Sequence, residues 1–267
     1  MSSVNLNWDA AGQIDSYKVY RSTSPMNPSS LPVPLATGIT AKSYSDTTAV
    51  TGNPYYYRVA SVKSGIEKIS SEKRIVAKNL SNYFMDIDFN GADGSAIYEN
   101  VSNSVLTSTN ASIQTNQGVF TGNGKIDVPA LTLSGDFVIS VDISMTTTIS
   151  DYMNLFNLGA LILRFGNSGF GYKLQIGIDG STLNGVYSCA LTQANFVNAG
   201  VKNIKFSRKS GVCTLKVNDV VQQLGQGANP TSYPYTSFTN ASTPTLWSPS
   251  IGYLYVGKMD NFAILKS

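Results

Sequence analysis

The chain contains no histidine. That removes His-based triads, His general bases and imidazole metal ligands. Its three glutamates are Glu67, Glu72 and Glu99. Hydrolysis between two carboxylates needs an acid and a base flanking one bond, and no pair of glutamates or aspartates stands out. The cysteines are Cys189 and Cys213. Cys213 alternates with Leu215 and Val217 in VCTLKV, which places it on an apolar face, and no histidine base exists to activate it. Both cysteines read as buried free thiols; a disulfide between them stays open.

Two groups of residues carry binding chemistry instead. Asp88, Asn90 and Asp93 crowd together in DIDFNGADG. Hard carboxylate and carbonyl oxygens of this kind suit a structural calcium ion. No glutamate closes an EF-hand loop, and turn capping by Asp and Asn accounts for the same residues. The second group lies in residues 225–250, GQGANPTSYPYTSFTNASTPTLWSPS. This Pro-, Ser- and Thr-rich segment carries Tyr233, Tyr235, Phe238 and Trp247. Long ordered loops are usually functional, and aromatic rings among polar neighbours stack on sugars or anchor a protein interface. The same rings could instead fold back to cap a core, Trp247 first among them, since it flanks the final strands.

The elements that must position these groups are strands. VNLNW alternates Val4, Leu6 and Trp8; SYKVYRS puts Tyr17 and Val19 on one face; PYYYRVASV follows a turn at residues 51–54. From Tyr83 onward no convincing helix appears. YFMDIDFNG alternates Phe84, Ile87 and Phe89 imperfectly. DFVISVDISM sends Phe137, Ile139, Val141, Ile143 and Met145 one way, and GYKLQIGI does the same with Tyr172, Leu174, Ile176 and Ile178. NIKFSRKSGVCTLKVND reads as a hairpin turning around Lys209-Ser210-Gly211. At 267 residues with 42% hydrophobic content the chain has room for two cores or one large one.

Bulk charge narrows the partners. Charged residues make up 13% of the chain, about half the usual ~25%, so surface polarity must come from Ser, Thr, Asn and Gln, as on many extracellular and virion proteins. The net charge of +3 gathers around Lys68, Lys73, Arg74 and Lys78. That is a solvated strand edge rather than a nucleic-acid footprint. MSSVNLNWDA lacks a basic n-region and an apolar h-region, so a secretory leader is not expected. No run approaches the ~20 apolar residues of a membrane span.

Residues 4–78 resemble a fibronectin type III domain. Trp8 stands at the family's core tryptophan, and Tyr55, Tyr57 and Val59 match its Y-x-Y-x-V strand, with Tyr55 at the tyrosine corner. ATGITAKSYSDTTAVTGNPYYYRVASV is most similar to modules of bacterial and phage proteins. The resemblance implies a further strand before VNLNW, where only Met1 to Ser3 stand, so the sheet edge at Val4 is expected to be bare or covered by a neighbouring chain.

After a linker at residues 79–82, residues 83–267 resemble a laminin-G-like domain of the concanavalin-A-like superfamily. The matching pieces are the D-F-N opening, GVFTGNGKIDVP, LSGDFVISVDI, KFSRKSGVCTLKVNDVV and VGKMDNFAI. The implied fold class is all-β: an Ig-like sandwich at residues 1–78, then a jelly-roll sandwich. The resemblance also implies a structural ion between first and last strands, adding Asp260 to Asp88, Asn90 and Asp93. Glycosidases of this superfamily use paired glutamates in an E-x-D-x-E-like strand, and only Glu99 lies in this part, so no enzyme is expected and no cofactor is required. The two domains together are similar to accessory proteins of phage particles. They imply a virion protein of tail, baseplate, fibre or capsid decoration, assembling with itself and other subunits and adhering to cell-surface polysaccharide, without nucleic-acid binding or membrane insertion. The alternative is a carbohydrate-binding segment of a secreted bacterial polysaccharide-active enzyme.

Overall fold

Alternation of apolar and polar side chains runs through almost every segment, and the backbone follows it into strands. A computed structural model of the chain describes residues 3–10, 12–90, 93–148, 152–158, 160–167, 172–178, 185–227, 230, 232, 235–239, 245–246, 249–252 and 255–267. The chain divides into two compact units, Met1–Leu80 and Ser81–Ser267. Both are β structures; a 3-10 turn at Gln193–Asn195 is a brief exception.

The first unit packs two sheets face to face. Strand Val4–Asn7 pairs antiparallel with Ser43–Asp46 and forms a two-stranded sheet. The other sheet runs in the order Ala36–Ile39, Ser16–Ser22, Pro54–Lys63, Ile66–Ile69, and Lys73–Val76 also pairs with Pro54–Lys63. Val4 and Leu6 from one sheet meet Val19, Tyr55 and Tyr57 from the other in one buried cluster. Trp8 packs beside it, edge to face with Tyr17 at 5.3 Å between ring centroids. The Tyr55 hydroxyl accepts the Val50 amide at 3.1 Å, the local lock of a tyrosine corner. Tyr20 is buried on the opposite face, with Met26 and Ala60, so this sheet carries a small second cluster that simple alternation from Tyr17 and Val19 does not announce.

Asp46 is fully buried at the seam of the first unit. Its carboxylate accepts hydrogen bonds from Arg21 Nη1 at 2.7 Å, the Tyr57 hydroxyl at 2.8 Å, and the Thr48 amide and hydroxyl at 2.9 and 2.8 Å. Burial alone pushes the Asp46 carboxyl up. The bonds from Thr48, Tyr57 and Arg21 outweigh it and hold the group below its ordinary value.

The second unit is dominated by one long curled sheet, beside which Tyr98–Glu99 pairs with Ser104–Val105 and Leu131–Thr132 with Thr245–Leu246. The two halves of the long sheet contribute to a single buried cluster: Ile139, Phe206 and Leu215 from one, Leu163, Phe165, Leu174 and Ile176 from the other. The sheet is therefore folded over on itself as a sandwich. Phe137, Ile139, Val141, Ile143 and Met145 all point into this core, as their spacing predicts. The expected hairpin is present: Ile204 lies opposite Val217 and Phe206 opposite Leu215, and Ser210 (φ 50°) and Gly211 (φ 79°) make its turn. The opening strand corrects the sequence pattern. Met85, Ile87 and Phe89 are the buried set, while Phe84 is partly exposed beneath the Lys266 ammonium, which sits 5.3 Å from its ring centroid. Near the end of the chain, Gly252 turns with φ +76°, and a side chain there would run into the Phe120 ring. The buried Tyr255 ring meets the same Phe120 edge to face at 5.7 Å.

The Asp46 network gives a signed pH dependence. The folded-state carboxyl titrates below the unfolded one, so its contribution is complete above the ordinary value of 3.8 and fades as pH falls through the lower folded-state value. Asp46→Asn should cost about 2 kcal/mol at neutral pH and flatten this acid dependence. Hydrogen-exchange protection of strand Pro54–Lys63 at pH 7 and pH 3 checks it; equal behaviour of variant and parent would refute it.

Candidate functional site

Strand register lines up a row of polar residues on the second unit. Asn154 lies opposite Arg164, Arg164 opposite Gln175, Gln175 opposite Ser188, and Ser188 opposite Gly225. These residues sit on strands Met153–Asn157, Leu161–Asn167, Tyr172–Ile178, Val186–Thr192 and Leu224–Gln226. Cross-strand partners share a face, so the row is continuous and, at ~4.8 Å per strand, about 19 Å long. Its face is opposite the core: Leu163 and Phe165 flank Arg164, Leu174 and Ile176 flank Gln175, and all four are buried.

The row is not a simple solvated surface. Gln175 is 1% exposed and Ser188 0%. A side chain at Gly225 would strike Ser232 and Pro230, so these two residues lie over this same face. The Ser188 hydroxyl donates to the Gly227 carbonyl at 2.8 Å. At the other end Tyr152 is exposed and Arg164 half-buried among the described residues.

Arg164 is the chemical centre of the row. Its Nε donates to Gln175 Oε1 at 3.1 Å, and its guanidinium carbon lies 4.8 Å from the Tyr152 ring centroid. Gly166 makes the first contact feasible: a side chain there would overlap the Gln175 amide. Burial pushes the Arg164 guanidinium below its ordinary value, opposed only by Tyr152. Lys173, buried on the same face, stands two residues before Gln175 and opposite Gly166. Nothing in the sequence singled out these residues by motif. The signal was Lys173 and Gln175 alternating with Tyr172, Leu174 and Ile176: polar residues on a strand whose second face is also buried.

The residues selected from sequence are placed as follows. Tyr233 and Trp247 lie outside the described residues. Tyr235 is exposed, and its backbone exchanges hydrogen bonds of 2.6 and 3.0 Å with Leu224. The backbone of Phe238–Thr239 pairs instead with Val212–Cys213, near the other end of the sheet order. The structure thus separates Tyr235 from Phe238, while the segment that holds them borders the polar row.

The four oxygen-bearing residues proposed for calcium are placed in this way. Asp88 is buried and accepts Asn100 Nδ2 at 2.8 Å, and the same nitrogen bonds Asp86 at 2.9 Å. The Asn90 amide donates to Asp88 Oδ1 at 3.3 Å, and exposed Asp93 caps the Thr115 amide at 2.7 Å. Asp260 accepts the backbone amides of Asn261 and Phe89; burial raises its carboxyl, with some help from the charge of Asp142 opposite. Asp88, Asn90 and Asp260 thus meet along residues 88–90, while Asp93 turns to Thr115. Among the described residues no three of Asp, Glu, His or Cys stand together as metal ligands.

One further concavity, of about 330 Å³, lies in the first unit between Trp8, Tyr17, Val59 and Lys68. The Trp8 Nε1 is buried there without a hydrogen-bond partner among the described residues.

No protein-family model and no curated protein matches the chain. Among solved structures, an Fn3-like protein from Clostridium thermocellum is 38% identical across 29% of this chain and 78% of its own length, with a TM-score of 0.26. Over that stretch the chain is Fn3-like. A Trypanosoma rangeli sialidase matches 80% of the chain at 9% identity and TM-score 0.47, and the chain spans only 41% of that enzyme. A Bacteroides ovatus protein with a provisional carbohydrate-binding assignment matches 99% of the chain and 76% of its own length, at 13% identity and TM-score 0.37.

The thiols can be tested at once. Cys189 and Cys213 are free and buried, and burial pushes each up to about 11. Neither should react with iodoacetamide at pH 8 in the folded protein, and both should react after denaturation. Mass spectrometry of intact protein reads the adducts; rapid native labelling or a disulfide-linked species would contradict this placement.

Proposed function

We propose that this protein binds glycans at the Tyr152, Asn154 and Arg164 end of the polar row, with buried Gln175 and Ser188 behind them as support, and performs no chemistry on them. The observation that carries the reading is the row itself: polar side chains in cross-strand register on the face opposite the core, overhung at one end by Pro230 and Ser232. Amide side chains offer donor and acceptor together, which matches sugar hydroxyls. The exposed Tyr152 ring supplies an apolar platform for a sugar face. Gln175 works mainly by holding Arg164. The row is made of amides, a guanidinium and a hydroxyl, which bind well but lack the acid–base pair of a glycosidase. This reading requires no cofactor.

The narrower setting we propose is a phage virion, with a secreted bacterial carbohydrate-binding segment as the alternative. Its support is the sheet edge at Val4–Asn7. That strand pairs on one side with Ser43–Asp46, and among the described residues no strand covers its other side. Asn5 and Asn7 are exposed, and the strand has no Lys or Pro to guard its edge. Assembly with a second chain would satisfy those backbone groups.

Two measurements test these readings. A glycan array should show binding of the intact protein, and Tyr152→Ala should weaken it about five- to thirtyfold. Absence of binding to every glycan would sink the glycan reading, and undiminished binding by Tyr152→Ala would sink the site. Native mass spectrometry should find a symmetric oligomer, and a monomer at micromolar concentration would count against assembly through the Val4–Asn7 edge.

A further inference from the structure

Arg164 poses a question that general sugar binding does not answer. Among the described residues its cation has no carboxylate partner, and its neighbours are Gln175 through Nε and the Tyr152 ring. Among the described residues neither Nη group donates a hydrogen bond to a protein acceptor. Other arginines of the chain are provided for: Arg21 pairs with Asp46 at 2.7 Å, Arg58 with Glu72 at 3.5 Å, and Arg208 donates to the Gly135 carbonyl at 2.9 Å. A half-buried guanidinium is costly unless an anion reaches it.

The surroundings keep it in that state by construction. Gly166 leaves the space into which the Gln175 amide folds. Gln175 then takes Nε, the one guanidinium position that points back along the side chain, and leaves the planar Nη fork. Tyr152 covers the guanidinium, which fixes its plane. A planar, oriented fork of two N–H groups fits a carboxylate in bidentate fashion. Lys173 adds a second cation on the same face, and none of the residues in the row is acidic.

We propose that the glycan bound along this row is acidic, and that Arg164 takes the carboxylate of a uronic or sialic acid residue through its Nη fork. This rests on the glycan reading above and adds its substrate class. Neighbouring hydroxyls of the same polymer fall to Asn154 and the rim beneath Ser232.

The probes are polygalacturonate, alginate and colominic acid, with neutral dextran and xylan beside them. Binding of the full chain is measured by calorimetry. The key comparison uses the unaltered protein with polygalacturonate and its fully methyl-esterified form, which keeps the sugars and removes the charge. At least one carboxylated polymer should bind, and its affinity should fall as salt rises. If polygalacturonate is the polymer bound, esterification should abolish binding. Arg164→Gln should weaken binding on the order of ten- to hundredfold, and Arg164→Lys should fall between, keeping charge without the fork. Equal binding of acidic and neutral polymers would overturn the acidic class and leave the glycan reading standing. Binding to no polymer at all would overturn both. Preference for dextran sulfate over every carboxylated polymer would overturn the carboxylate assignment. Acidic binding that survives Arg164→Gln in a variant with an unchanged melting temperature would remove Arg164 from the site.

Discussion

The second unit depends on a change of partner along one strand. Gln117–Asp127 begins against Gly257–Lys266, with Phe120 opposite Gly257, and ends against Ser250–Ile251, with Ile126 opposite Ile251. Ser250–Ile251 is in turn paired with Met153–Asn157. One strand thereby hydrogen-bonds to both halves of the sheet and lets them close over a common core. The switch happens where Gly252 presses against Phe120 and Tyr255 packs on the same ring. The Tyr255 hydroxyl points to the carbonyls of Ser144 and Lys258, at 2.8 and 3.0 Å, so its burial leaves no polar group unsatisfied.

The polar row inherits its geometry from that core. Leu163 and Phe165 must face inward, so Arg164 and Gly166 must face outward; Leu174 and Ile176 set Lys173 and Gln175 in the same way. A register slip of one residue would bury the guanidinium and expose the leucines. The core therefore fixes the site's alignment more firmly than any contact within the site. Inside the row, Gly166 and Gln175 orient Arg164, and Tyr152 covers it. The first unit handles its buried charge in a contrasting way. Asp46 is met by four donors and is structurally complete, whereas among the described residues Arg164 has protein partners for only part of its guanidinium.

The fold was largely legible because a period of two is strong wherever one face is buried. Phe137 through Met145, and the Ile204/Phe206 hairpin, could be assigned to the core from alternation alone. The pattern failed at Phe84 and Tyr20. Phe84 is apolar, yet the core takes Met85; Tyr20 is out of phase with Val19, yet a second cluster buries it. Composition cannot tell which side of a strand finds a neighbour. The same limit hid the site. Aromatics in residues 225–250 drew attention because loops rich in rings often bind, and Asp88, Asn90 and Asp93 because close acids often hold ions. In the structure Tyr235 and Phe238 separate along the sheet, and Asp88 and Asp93 each accept a hydrogen bond from the protein itself.

By itself, then, the sequence determined an all-β chain, ruled out histidine chemistry, and placed the core residues of most strands. These properties are local: residue type and spacing of two decide them. Only tertiary structure decided that Asn154, Arg164, Gln175 and Ser188 share one row, since each belongs to a different strand and their register arises from pairing across the sheet. It also decided which charges find partners. Asp46 meets Arg21 across 25 residues of sequence, and no local pattern could show that Arg164 meets no acid among the described residues. Pairing of distant groups is a property of packing, and the chemistry of this protein lies in that pairing.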